Sequence, residues 1–360
     1  MTGVGLMGAN PVVIVGMHRS GTSLTAAFLE ALGVDLGGNL LAADCHNAKG
    51  YFEDVDFLEF QRQLLQARSR SDDGGWPDWG WTEGEDLDLT DLEREYGAAA
   101  QGLIEARPGD RLWGWKDPRT ALLLEFWDRL LPNAVYLMVY RLPWDVADSV
   151  LRIGHPTFVE QPEYGLRAWH FYNRRLLDFY NRRRDRCVLF NVNGLLAQPE
   201  RLADLVESKL GLRVAGDRRT LGSVFDPALF GQLGWRDPLP QALRQVAPAY
   251  WGLLDELDRV ADLPSDREGV PFLERVGPLP SYGEQDPPAE RSILALHYRT
   301  LVTNLRLGEQ VRSLEAEVDR LQQSEARLAS ALATARQQLV EFRRSKAGRL
   351  WRIWQRVKRR

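Results

Sequence analysis

The peptide Gly16-Met17-His18-Arg19-Ser20-Gly21-Thr22-Ser23 has the residue types of an anion-binding turn. Upstream, Val12, Val13, Ile14 and Val15 form a short apolar run that reads as a buried parallel strand. Downstream, Leu24, Ala27, Phe28 and Leu32 share one helical face, and Gly33 closes the helix. A strand ending in a tight turn at a helix N-terminus gathers unpaired backbone N–H groups and the positive end of the helix dipole. Against the nucleotide-triphosphate loop G-x-x-x-x-G-K-[ST], residues Gly16, Gly21 and Ser23 fit. The lysine position holds Thr22, and a cation returns upstream as Arg19. An ordinary strand-to-helix turn is the competing reading.

That displaced cation resembles the sulfotransferase family, whose loops read like PKSGTT or HRSGTS and bind the 5′-phosphosulfate of PAPS. The resemblance implies that Arg19, Ser20, Gly21, Thr22 and Ser23 hold this group. The segment Asn47-Ala48-Lys49-Gly50-Tyr51-Phe52-Glu53 resembles the N-P-K-G-Y-F-E peptide of bacterial members, with Ala48 replacing proline. Glu53 is then a candidate general base, because an acceptor hydroxyl must lose its proton as it attacks sulfur. Its bland alternative is a carboxylate at the positive end of a helix.

The peptide Trp115-Lys116-Asp117-Pro118-Arg119 resembles the family segment that follows a central strand. Cytosolic members carry a lysine and a basic histidine in this region. By that match Lys116 stabilises charge on the transferred sulfuryl group, and Asp117 becomes the rival base to Glu53. Pro118 forces Asp117 out of helical geometry, so Asp117 is equally suited to capping the following helix. Arg141 and Ser149 have the spacing with which the family reads the 3′-phosphate of PAPS, with Pro143 between them. Val192, Asn193 and Gly194 depart from the family's Tyr-Glu-Asp at the end of a later strand, which removes an expected adenine contact.

These residues need a sheet and helices to hold them. Apolar runs near residues 11, 112, 134 and 187, separated by helical periodicity, predict an α/β fold. Its core is a P-loop-like, mostly parallel sheet flanked by helices, followed by a long C-terminal helix or coiled coil. From Asp54, a potential N-cap, residues Phe57, Leu58, Gln61, Leu64 and Leu65 recur at helical spacing. Helices are also expected over 87–107 and 162–184, and strands over 111–116, 133–141 and 187–192. The loop with Trp76, Trp79 and Trp81 reads either as a sugar-stacking platform or as an anchor onto the protein body.

The 360 residues, 44% hydrophobic, suffice for one sizeable α/β domain over residues 1–276 and an appendage. A Pro/Gly linker spans 277–290. Over 291–342 the residues Val311, Leu314, Val318, Leu321, Leu328, Leu332, Ala335, Leu339 and Phe342 fall on an a/d seam with Glu325 as the misfit. Homo-oligomerisation through that seam is expected, with folding back as a single amphipathic helix the alternative. Residues 343–360 form a basic tail with two tryptophans, suited to an anionic membrane surface or simply solvated. The net charge of −4 argues against a nucleic-acid partner. Cys45 and Cys187 make neither a disulfide framework nor a zinc site. The first residues lack a signal-peptide pattern, and no apolar run is long enough to span a bilayer, so a cytoplasmic protein with inner-membrane surface contact is expected.

The function this pattern implies is sulfuryl transfer from PAPS to a hydroxyl, on a carbohydrate or glycolipid, with no metal required. The alternatives are a nucleotide-dependent kinase with a degenerate P-loop and a non-catalytic coiled-coil scaffold.

Overall fold

The computed structural model describes residues 11–43, 50–70, 80–107, 111–153, 155–212, 238–265 and 288–358. The chain divides into two compact units, residues 1–304 and 305–360.

The first unit is built on four parallel strands: β1 (Val12–Val15), β2 (Gly114–Lys116), β3 (Val135–Tyr140) and β4 (Cys187–Asn191). Their order is β2-β1-β3-β4, and every residue in them is buried. Burial on both faces explains why these strands read as continuous apolar runs. The chain leaves β1 for β2 on one side and leaves β3 for β4 on the other. The carboxyl ends of β1 and β3 therefore border the point where the winding reverses, the usual ligand crevice of open parallel sheets.

Around the sheet lie α1 (Thr22–Ala31), α2 (Val55–Arg68), α3 (Leu92–Glu105), α4 (Leu124–Leu130), α5 (Pro143–Leu151), α6 (Pro156–Glu160), α7 (Tyr164–Arg182), α8 (Val192–Ala197) and α9 (Pro199–Ser208). One core joins Val12, Ile14, Phe28, Leu29, Leu137, Val139, Val188 and Phe190 across β1, α1, β3 and β4. On the other side, Phe57 stacks on Trp115 with centroids 4.7 Å apart, and Trp127 lies 5.1 Å from Trp115. The buried face of α2 comprises Phe57, Leu58, Gln61, Leu64 and Leu65, as its spacing predicts. Asp54 caps it, accepting from the amides of Asp56 and Phe57.

Several boundaries differ from expectation, the helix expected over 162–184 being Tyr164–Arg182 and the strand over 133–141 being Val135–Tyr140. The helix expected from residue 87 starts at Leu92, because Leu87 pairs with Ser69 in an antiparallel bridge and Asp91 turns with φ 52°. The strand expected to reach Val192 stops at Asn191, whose side chain accepts from the Asn193 amide and starts α8. The expected strand from residue 111 shortens to Gly114–Lys116, with Trp113 bridging Asp35. Cys187 is a buried free thiol, pushed up to about 12 by burial.

In the second unit, residues 305–344 continue the helix Pro288–Arg344, and a separate helix covers Lys346–Lys358. The long helix therefore starts inside the range expected for the linker; residues 277–287 lie outside the described residues. Leu314, Leu321 and Leu328 on the seam are 61%, 63% and 69% exposed. Among the described residues no helix is long and apolar enough to cross a membrane.

Gly16 sits where β1 and β3 approach closely. A Cβ there would sit 2.3 Å from the carbonyl oxygen of Val139, a backbone atom of β3 that cannot swing away. Gly16→Ala should cost about 2–3 kcal/mol of unfolding free energy in denaturant titration. A loss below about 0.5 kcal/mol would show that β1 and β3 separate freely at this point.

Candidate active site

The carboxyl ends of the strands carry the candidate residues. After β1 the loop turns through Arg19, whose φ of 64° is unusual for a side-chain-bearing residue, and Gly21, whose φ of 95° suits glycine. Thr22 and Ser23 then open α1. Backbone strain of this kind costs on the order of 1 kcal/mol and persists where the surroundings fix it. Here they do. Arg141, just beyond β3, donates from Nη1 to the Arg19 carbonyl at 3.1 Å. Arg19 in turn donates from Nε to the Ser149 hydroxyl of α5 at 2.9 Å. Trp169 of α7 donates to the Arg141 carbonyl at 2.8 Å and holds the strand end in place. Three residues singled out across 130 positions of sequence thus meet in the crevice between β1 and β3. Burial works against the Arg141 charge, while Asp145 and Asp148 support it.

The loop also reaches the other candidate cluster. Ser23 donates to the Tyr51 carbonyl at 3.2 Å, which ties the start of α1 to the segment leading into Glu53. Phe52, with φ 56°, reverses the chain there, and the Leu41 amide donates to the Glu53 carbonyl at 2.7 Å. The Glu53 carboxylate receives Lys116 Nζ at 2.6 Å and has Arg119 at 3.7 Å. All three side chains are buried. A pair removed from water this far is held only by mutual attraction and good hydrogen bonding.

Asp117 has a different setting. It is fully buried and accepts from the Arg119 amide at 2.8 Å, from Arg119 Nη1 at 3.0 Å and from Gln61 Nε2 at 2.8 Å. It caps the 3-10 turn Pro118–Leu122, the role its place before proline allows. Burial pushes its carboxyl up to about 6, Arg119 pulling the other way and Glu53 adding to the rise. Gln61 then accepts from Thr120 at 2.9 Å and from Trp127 Nε1 at 3.0 Å. Asp117 and Gln61 therefore form a polar hub joining α2, the turn and α4.

Sequence reasoning assigned no role to Arg119, Gln61 or Tyr172. For Gln61 the signal was present: a polar residue on the buried face of a helix needs partners. His18 is buried with Nε2 lacking any hydrogen-bond partner among the described residues, edge-on to Tyr172 at 6.3 Å. Burial first, then Arg119, Lys116 and Arg19, hold its pKa well below the usual imidazole value. The Ser20 hydroxyl is likewise fully buried without a hydrogen-bond partner among the described residues. Trp81 is fully buried, and the Gly80 carbonyl beside it accepts from Tyr164 at 3.1 Å. For Trp81 the anchor reading holds. Trp76, Trp79 and residues 47–49 lie outside the described residues.

Residues 11–216 match the Sulfotransferase family. The chain belongs to that family. The match ends well before the long C-terminal helix. Among solved structures, a sulfotransferase from Mycobacterium avium is 16% identical, with 72% of this chain and 79% of that chain covered at a TM-score of 0.41. One from Alicyclobacillus acidocaldarius is 16% identical, covering 71% and 98% at 0.40. A sulfotransferase domain from the curacin biosynthetic pathway is 17% identical, covering 71% and 99% at 0.37. No curated protein sequence matches the chain.

The setting of His18 has a consequence for stability. Its folded pKa lies below the unfolded value near 6.5, so the unfolded chain binds the proton first as pH falls. The stability this neutral side chain contributes is complete above pH 6.5 and is lost progressively below it. Relative to His18→Asn, the native protein should lose up to about 1.4 kcal/mol per pH unit below that point in denaturant titrations. A constant difference between pH 7 and pH 5 would show that His18 charges freely in the folded state.

Proposed function

We propose that this sulfotransferase takes its sulfuryl group from PAPS and delivers it to a hydroxyl of a carbohydrate or glycolipid. The observation that carries the reading is the pairing of two sites on one loop. The crevice between β1 and β3 gathers Arg19, Arg141 and Ser149, and the same loop meets the Glu53–Lys116 pair through Ser23. A donor with phosphates at both its 5′ and 3′ ends needs a cation for each, and Arg19 on the loop and Arg141 beyond β3 can supply them. The buried Ser20 hydroxyl beside the α1 N-terminus, with no hydrogen-bond partner among the described residues, fits an anion.

In this reading the loop amides with Arg19, Ser20, Gly21, Thr22 and Ser23 hold the 5′-phosphosulfate, and Arg141 and Ser149 hold the 3′-phosphate. Bound PAPS supplies the electrophilic sulfur. The acceptor hydroxyl attacks it, its proton passes to Glu53, and the bond from sulfur to the bridging phosphate oxygen breaks to release PAP. Lys116, 2.6 Å from Glu53, is placed to trade that partner for the charge developing on the sulfuryl or bridging oxygen. Asp117 is the less suitable base, because accepting a proton would disturb three donors that hold the α2–α4 hub. Glu53→Gln should lower turnover by about 10²–10⁴-fold while leaving PAP affinity in calorimetry within about twofold. Arg141→Ala should weaken PAP at least tenfold. Binding of ATP–Mg²⁺ in preference to PAP would favour the kinase reading, and labelling of peptide tyrosine alone from PAPS would remove the carbohydrate acceptor.

The exposed seam supports pairing of the long helix with a second copy. Val311 and Val318 fall at a positions and Leu314, Leu321 and Leu328 at d, a composition that favours two strands. Light scattering should give a dimer for the native chain and a monomer for Leu321→Asp/Leu328→Asp. A native monomer would leave the single-helix alternative.

A further inference from the structure

The helix Lys346–Lys358 is a built element rather than the frayed end of the long one. Ser345 separates the two helices. Its hydroxyl donates to the Phe342 carbonyl at 2.7 Å and accepts from the Gly348 amide at 3.1 Å, closing one helix and capping the next. Gly348 makes the corner possible, since a Cβ there would lie 2.0 Å from the Phe342 carbonyl oxygen. Arg352 donates to the Arg343 carbonyl at 2.8 Å, and Trp351 packs edge-on to Phe342 with centroids 6.4 Å apart. These contacts fix the junction between the two helices.

What the corner presents is two-sided. Leu350, Trp351, Ile353 and Trp354 follow a spacing of one, three and four residues, which puts them on one face. They are 67%, 49%, 60% and 55% exposed. Residues 343–360 contain nine basic and no acidic side chains. Four large apolar side chains left in water on one short helix call for a covering surface. A second copy of this helix would bring like charges together. An anionic lipid surface would cover the apolar face and neutralise the cations at once, with tryptophan rings at the headgroup level. We propose that Lys346–Lys358 lies in the headgroup layer of an anionic bilayer and anchors the enzyme peripherally to it.

Flotation of the full chain with vesicles tests this. Phosphatidylcholine vesicles containing phosphatidylglycerol should capture the protein at least about tenfold better than phosphatidylcholine alone, and raised salt should weaken the capture. Ile353→Glu/Trp354→Glu alters exposed side chains and should abolish capture while circular dichroism and sulfuryl transfer to a soluble acceptor stay unchanged. Equal capture of native and variant chains, or native protein that stays unbound with both vesicle types, would overturn the proposal. So would a variant that lowers the molar mass in solution without changing capture, because the face would then be a contact between copies.

Discussion

The buried ion pair between Lys116 and Glu53 is the constraint around which the first unit is arranged. Two opposite charges lie 2.6 Å apart with almost no access to water. Neither would be tolerated alone, since the desolvation of an isolated buried ion costs several kcal/mol. The surroundings are accordingly matched. Arg119 stands between Glu53 and Asp117 and answers part of both carboxylates. His18, placed among three cations, stays neutral and avoids adding a fourth charge. The cluster thus balances its own charges within one buried site.

The sheet explains why these groups come from distant parts of the sequence. In an order of β2-β1-β3-β4, the strands carrying Lys116 and Arg141 at their ends flank the one carrying Gly16 on either side, although these residues lie 100 and 125 positions beyond Gly16 in sequence. Parallel pairing fixes the register Val12 to Gly114 and to Val135, so all three strands end on one side of the sheet. The glycines at positions 16 and 114 allow the close approach of neighbouring backbones that this requires. Positioning is thus set by the backbone, and the side chains need only point out of the carboxyl edge.

Much of this was legible in the sequence because it is local. The loop between β1 and α1, the Asp54 cap, the buried face of α2 and the capping role of Asp117 each follow from residues within one turn of each other. What escaped is the part that depends on distant neighbours. Gln61, Asp117, Thr120 and Trp127 satisfy one another across as many as 66 positions, and no periodicity announces that. Arg119 sits inside a peptide whose resemblance was recognised, yet its bridge to Glu53 needs the fold to bring residues 53 and 119 together. Strand ends were misplaced for a related reason. Asn191 has a side chain that ends a strand by capping a helix, and the apolar Val192 after it carries the same hydropathy as the strand.

The two acidic candidates show how contact chemistry separates roles that sequence spacing leaves equal. Asp117 is pushed up to about 6 by burial, which taken alone would mark it as a proton acceptor near neutral pH. Its oxygens, however, are engaged by the Arg119 amide and guanidinium and by Gln61. Protonation would weaken a cap and a hub at the same time, so the energy that raises its pKa is tied to the packing of α2 against α4. Glu53 has one close lysine and a more distant arginine, and the segment that carries it is joined to the anion loop through Ser23 and Tyr51. The Glu53 carboxylate is thus held by side-chain cations, Lys116 at 2.6 Å and Arg119 at 3.7 Å, whereas Asp117 is built into a backbone cap, so the two acids differ in what a change at each would disturb.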